Sequence, residues 1–223
     1  LFKRSLNEKV IYEDDTSKLE SEFDHHIPMA SLANFFRSDL EKFEKTFNGY
    51  LNYNKDKTNQ IRSSLTKDSK TKNIGISWKT TSNKELAEFR NIALNELIKS
   101  INVPNVRFIN IQYGNQTEEI LKLKKEINID IVTFNDIDNF NDIDSLASLM
   151  AACDDIITID NSTAQLAGSL GLNTKLLLSA APDVRWGHKG TSCVWYNSIK
   201  IYRQINLGDW SEPLKQLEQD LKN

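Results

Sequence analysis

Asp155-Ile-Ile-Thr-Ile-Asp160-Asn161-Ser162-Thr163-Ala164-Gln165-Leu166-Ala167-Gly168-Ser169-Leu170-Gly171 is the stretch that decides the fold. Ile156, Ile157, Thr158 and Ile159 form a short β-branched run of the kind buried in a sheet, and it stops at four consecutive capping residues. Ser162 to Leu170 then predicts a helix whose small residues Ala164, Ala167, Gly168 and Ser169 allow close packing, with Gly171 well suited to the position after its end. A strand that turns at once into a helix points the helix's first free N–H groups over the carboxyl edge of the sheet, where they attract an anion. An ordinary capped helix start is the alternative reading of this motif on its own.

Working outward, short apolar runs alternate with amphipathic stretches from Asn73 onward. Strands are expected at Asn73 to Trp78, Val106 to Gln112, Ile129 to Phe134, Asp155 to Asp160, Thr174 to Ser179 and Ile199 to Gln204. Between them, Leu86, Phe89, Ala93, Leu97 and Ile101 recur at helical spacing behind Ser82 and Asn83, which predicts one continuous helix. Further helices are expected over Thr117 to Ile127, from Asp142 or Ser145 through Met150, and from Ser211-Glu212-Pro213 through Leu221. This alternation predicts an α/β, Rossmann-like, mainly parallel sheet with helices on both faces, occupying residues 71–223. Residues 1–70 show no such rhythm and read as an α-rich tail of another domain followed by a polar linker at Lys55 to Lys72. Phe36, Leu40, Phe43 and Phe47 predict a helix over Phe35 to Phe47 with a core-facing stripe.

Composition narrows the function classes. A formal net charge of −3 and a pI near 5.7 lack the basic face that displaces counterions from nucleic acid, so no nucleic-acid partner is expected. No apolar run approaches the roughly 18 residues of a membrane helix, and the first ten residues lack a signal-peptide core, so a cytoplasmic protein without a membrane span is expected. Leu1 in place of an initiating Met suggests a piece of a longer chain. Cys153 and Cys193 form no C-x-x-C pair and read as reduced thiols.

A second strand-to-helix junction, Gly75-Ile76-Ser77-Trp78-Lys79-Thr80-Thr81-Ser82, offers hydroxyls and a cation beside the first. Ser77, Lys79 and Thr80 are therefore candidates for phosphate contact, since open parallel sheets bind ligands outside the carboxyl ends of their strands. Neither G-x-G-x-x-G after a strand nor G-x-x-x-x-G-K-[ST] is present, which removes the usual evidence for dinucleotide and P-loop enzymes. Asp136, Asp138, Asp142 and Asp144 imitate a D-x-D metal motif but precede a helical pattern, where caps and loop charges are expected. No metal is assigned. A hydrolase or epimerase would require a Ser-His or Tyr-Lys constellation that the sequence does not display.

The series Gly75-Ile-Ser-Trp78, Ile111-Gln112-Tyr113-Gly114, Asp160 to Gly168, Pro182-Asp-Val-Arg185-Trp186-Gly187, Trp195-Tyr196 and Ile201-Tyr202-Arg203-Gln204 with Gly208-Asp209-Trp210 resembles, in order and spacing, the C-terminal region of bacterial tetratricopeptide-repeat-associated glycosyltransferases. That family is similar to the ADP-heptose:lipopolysaccharide heptosyltransferases and, more distantly, to O-GlcNAc transferase. Asp24-His25-His26-Ile27-Pro28-Met29-Ala30-Ser31-Leu32 resembles the end of the family's N-terminal catalytic domain. The resemblance implies one half of a GT-B fold, with residues 71–223 holding the nucleotide diphosphate of an activated sugar and an N-terminal GT-B domain holding the acceptor protein or glycan. It implies that Ser77 and Lys79 face the phosphates, that Gln112, Tyr113 and Gly114 line the nucleoside, and that Asp160, Asn161, Ser162 and Thr163 surround the diphosphate; Thr80 and Gln165 are further candidates for nucleotide-sugar contact. The chain departs from the family at Gln165, where His is common, and at Val184, where Trp is common; a Gln donates a hydrogen bond but carries no charge.

Glycosyl transfer builds negative charge on the leaving diphosphate, so the expected machinery is the helix start at Ser162 with Lys79 and Arg185 as cations, without metal or other cofactor. The general base is expected on the absent domain, and the isolated chain is expected to be inactive for that reason. Trp186, Trp195 and Tyr196 are packing residues by default, with sugar stacking as the functional alternative, and Arg203 is expected to pair with a carboxylate. A non-catalytic nucleotide-binding or scaffold module that keeps the fold is the alternative function.

Overall fold

The computed structural model describes residues 1–6, 24–43, 49–65, 70–80 and 84–222. Six strands, β1 (Lys72–Ser77), β2 (Val106–Asn110), β3 (Ile131–Val132), β4 (Asp155–Ile159), β5 (Thr174–Leu178) and β6 (Ile199–Arg203), form one sheet in the order β3-β2-β1-β4-β5-β6, with every pair parallel. The chain leaves β1 toward one side through β2 and β3, then returns to place β4 on the other side. Adjacent strands β1 and β4 therefore send their following segments in opposite directions, and a crevice opens between them at the carboxyl edge.

Nine helical segments accompany the sheet: α1 (Phe2–Ser5), α2 (Ala33–Phe36), α3 (Lys55–Leu65), α4 (Lys84–Arg90), α5 (Leu94–Ile101), α6 (Thr117–Ile127), α7 (Ile143–Ala152), α8 (Ser162–Ser169) and α9 (Ser211–Lys222) among the described residues. Alternation along the strands assigns them to two faces. Ile74, Ile76, Phe108, Ile157, Ile159 and Leu177 pack with Leu97 and Ile98 of α5, Leu123 of α6 and Leu214 and Leu217 of α9. Ile109, Ile156 and Cys153 face the other way, against Ile61 of α3, Leu149 of α7 and Leu166 of α8. Each fully buried Ile or Leu contributes about 1.5 to 3 kcal/mol, so covering both faces is what makes the parallel sheet stable.

Three expectations need correction. The predicted continuous helix from Leu86 to Ile101 is two helices, broken at Asn91-Ile92-Ala93. There the Asn91 Oδ1 accepts from the Thr80 N–H at 2.7 Å, its carbonyl accepts from the Trp210 indole at 3.1 Å, and the Ile92 N–H donates to the Trp78 carbonyl at 3.0 Å. Those tertiary bonds replace the helical ladder and tie the break to the end of β1. The polar stretch from Lys55, read as linker, contains α3, whose Thr58, Ile61 and Leu65 are buried. Its polar side chains anchor it: Thr58 donates to the Ser148 carbonyl at 3.2 Å and Arg62 to the Ala151 carbonyl at 2.8 Å, both on α7. Finally, no continuous helix runs from Phe35: α2 ends at Phe36, a 3-10 turn covers Leu40–Lys42, and Phe36 and Leu40 are exposed rather than buried. Phe47, Thr81, Ser82 and Asn83 lie outside the described residues.

Among the described residues no helix is long and apolar enough to cross a membrane.

Candidate functional site at the carboxyl edge of the sheet

The site begins with how β4 ends. Asn161 caps α8 by accepting from the Ala164 N–H at 3.2 Å, and its amide nitrogen crosses to donate to the Ser77 hydroxyl at 2.8 Å. Ser77 in turn donates to the Gln112 Oε1 at 3.0 Å, and the Trp78 and Lys79 N–H groups reach the same oxygen at 2.9 and 3.0 Å. Thr163 lies within 3.5 Å of Ser77. One buried network thus ties the ends of β1, β2 and β4 together, with Ser77 and Gln112 almost without solvent exposure. These groups shape the floor of the crevice. Their hydrogen-bonding capacity is largely used within the protein.

Above that floor stands Asp160, 7% exposed. Its Oδ1 accepts from the Trp186 indole N–H at 2.7 Å, while its buried Oδ2 has no hydrogen-bond partner. The nearest cation to Oδ2 is Arg90 at the end of α4, 3.8 Å away. No hydrogen bond of the Arg90 guanidinium occurs among the described residues, so its five donors stay available to an anion. Arg90 was not foreseen because the continuous-helix reading put it mid-helix; the cap-forming Asn91 directly after it was the available signal.

Lys79, expected to share the site, instead pairs with Glu119 of α6 at 2.7 Å and lines a separate polar groove with Asn115, Gln116 and Lys122. Thr80 is buried and accepts from the Tyr113 hydroxyl at 3.3 Å. Gly114 adopts φ +77, which lets the chain turn after β2. Tyr113 and Phe140 wall a cavity of about 240 Å³ whose opposite side is Ser162 and Thr163, in the first turn of α8. The structure therefore brings Ser77, Gln112, Asn161 and Thr163 together, sets Asp160 with Arg90 and Trp186, and leaves Lys79 apart.

On the β5 side, a wider, open cavity of about 870 Å³ is lined by Gln165, Asp183, Val184, Arg185, Trp195 and Tyr196, and bordered by Leu32, Ala33, Phe36 and Arg37. Arg185 binds Asp183 through its Nε at 2.9 Å; that hydrogen bond raises the Arg185 pKa and lowers that of Asp183. Trp186 is buried, whereas Trp195 is partly exposed and meets Phe43 edge to face at 4.7 Å. Arg203 makes no carboxylate pair among the described residues. It donates to the carbonyls of Trp186, Gly187 and Gly190 at 2.6 to 3.0 Å, and so holds the loop that delivers Trp186 to Asp160.

The acidic strings serve as caps and loop ligands: Asp138 accepts from the Asn141 and Phe140 N–H groups, Asp142 caps α7, and Asp144 pairs with Arg4. Among the described residues no three His, Cys, Asp or Glu side chains gather as a metal site. His25 and His26 are exposed.

No family model matches the chain. It is 29% identical to Protein FlbA of Caulobacter vibrioides over 204 residues, which are 90% of this chain and 33% of that protein. Among solved structures it is similar to the E. coli ADP-heptose lps heptosyltransferase II, with a TM-score of 0.54 and 14% identity over 77% of this chain and 52% of that one. It is also similar to the glycosyl transferase family 9 from Veillonella parvula DSM 2008, with a TM-score of 0.50 and 11% identity over 72% of this chain and 44% of that one. The chain thus spans about a third of the curated relative and about half of each solved transferase. These likenesses show the fold: a parallel α/β unit of the kind from which GT-B glycosyltransferases are built.

Proposed function

We propose that this chain is the donor-nucleotide half of a glycosyltransferase, and that the diphosphate of an activated sugar sits on the first turn of α8 in the crevice between β1 and β4. The observation that carries this reading is the convergence there of a helix start with Arg90, a half-buried cation whose donors are unused. In such a transfer the bond between the anomeric carbon and the diphosphate oxygen breaks while the acceptor oxygen bonds to that carbon. Charge grows on the leaving phosphate, and preorganised donors aimed at it lower the barrier.

Arg90 and the free N–H groups of Ser162 and Thr163 take that charge. Asp160 is turned toward Trp186 and away from the phosphate path, and its free Oδ2 meets Arg90 or a ligand hydroxyl. Lys79 joins only by releasing Glu119, so its part is smaller than the sequence suggests. The Tyr113 and Phe140 cavity takes the nucleoside, and Arg185 supports the sugar side. Residues 1–70 hold the tail of the acceptor-holding domain plus its connection, with α3 of that connection packed on α7 of the donor half, and the arrangement follows the repeat-associated transferases and O-GlcNAc transferase that the sequence resembles. The proton of the acceptor goes to a base on that other domain, and no metal takes part.

Calorimetric titration of the chain with ADP, GDP, UDP and CDP in the presence of EDTA tests this reading. Binding of at least one nucleotide is expected. Complete indifference to all four leaves a scaffold that merely keeps the fold, and binding that appears only without chelator contradicts the metal-free site.

A further inference from the structure

Gln165 is the fourth residue of α8 and faces the 870 Å³ cavity. Its Oε1 accepts a hydrogen bond from the Tyr196 hydroxyl at 3.0 Å. A phenol is a better donor than acceptor and an amide oxygen a better acceptor than its nitrogen, so this bond fixes which way round the amide stands. The amide nitrogen has no partner among the described residues, and is left to donate toward the cavity.

Tyr196 is itself held in place. Its ring lies flat against Gly168, one turn along the same helix, where an added Cβ would come within 2.4 to 2.7 Å of three ring carbons. Its hydroxyl keeps its proton, because burial pushes the Tyr196 pKa up to about 12. Gln165 is a candidate donor-site residue from the sequence, but the glycosyl-transfer chemistry above gives Tyr196 no part.

We propose that Tyr196 is a positioning residue that locks Gln165 as a neutral, donor-only contact for an oxygen of the bound nucleotide diphosphate or its sugar. The inference rests on the function proposed above. It concerns a contact that carries no charge of its own, in a cavity whose charged lining is Arg37, Asp183 and Arg185.

The test is a titration series with whichever of the four nucleotides binds the wild-type chain. Gln165→Ala is expected to weaken binding about tenfold, the scale of a lost hydrogen bond to a charged group. Gln165→Glu weakens it further, since a carboxylate offers only acceptors to an anion. Tyr196→Phe keeps the ring on Gly168 yet frees the amide, so it loses a smaller part, about threefold, and adds nothing when combined with Gln165→Ala. That non-additivity separates positioning from packing. Gln165→His restores a donor, and its affinity relative to wild type falls as pH rises from 6 to 8 and the imidazole loses its proton. Unchanged affinity in Gln165→Ala, or full additivity of Tyr196→Phe with it, overturns the inference while leaving the nucleotide site standing. Failure of the wild-type chain to bind any of the four overturns both.

Discussion

Asp155 and Asp160 stand at the two ends of β4 and are treated in opposite ways. Asp155, at the amino end, is fully buried between Lys72 at 2.5 Å and Lys175 at 2.9 Å, with the Asn173 amide on the same carboxylate. Asp160, at the carboxyl end, has one indole donor and, as its nearest ion-pair partner, a single guanidinium at 3.8 Å. The amino edge is electrostatically closed and serves stability. The carboxyl edge keeps donors and acceptors open, which is the condition for binding something.

Breaking the closed end has the largest expected effect. Asp155→Ala leaves two lysines facing each other without a counter-ion, and loss of one partner from a buried charge cluster costs about 3 to 5 kcal/mol. Denaturant unfolding checks this, against an Asp160→Asn change that keeps the Trp186 acceptor and shifts stability by less than about 1 kcal/mol. At the open end, Arg90→Ala is expected to weaken nucleotide binding by about 1.5 to 3 kcal/mol, the scale of a hydrogen bond to a charged group, and to lower stability less than Asp155→Ala does, because its ion pair with Asp160 is long. Lys79→Ala has a smaller effect on the same titration, because Glu119 already holds it. Equal effects of Arg90→Ala and Lys79→Ala would erase the distinction drawn between them.

Gly168→Ala sharpens the contrast from another side. The new methyl pushes Tyr196 off the helix, and overpacking of this kind costs about 1 to 3 kcal/mol, measurable as a lower melting temperature together with weaker nucleotide binding.

The smallest effect concerns acid stability. The Ser145 hydroxyl and N–H hold the Asp142 carboxyl below its usual value, and the Lys200 ammonium with the Tyr202 hydroxyl does the same for Asp220. A carboxyl whose pKa is depressed by folding adds stability above its unfolded pKa, and that increment disappears as pH falls through the folded one. Asp142→Ala removes the α7 cap, costs about 1 kcal/mol at neutral pH, and flattens the stability curve below about pH 4.

All six strands were legible as short apolar runs between polar or turn residues, although β3 is only Ile131–Val132, and a mainly parallel sheet followed from their alternation with helices. What escaped was decided by long-range bonds. The break at Asn91 exists because Trp78, Thr80 and Trp210 claim its neighbourhood, and no periodicity within the segment reveals them. Helix α3 was hidden because polar side chains bonded to α7 carbonyls, rather than an apolar stripe, do much of the anchoring. Ser77, Gln112 and Asn161 were visible as a polar group, yet their mutual bonding was not, nor was the pairing of Lys79 with Glu119. Local chemistry marks a strand end; only the fold determines which groups remain free there.

The central claim is that the carboxyl edge binds and the amino edge does not. Backbone amide shifts in an NMR titration with a bound nucleotide read both edges at once. The largest changes are expected at Ser162 and Thr163, with smaller ones at Tyr113 and Gln165 and none at Asp155, Thr174 or Ile199. Perturbation centred on Asp155, or spread evenly over both ends of β4, would contradict the account.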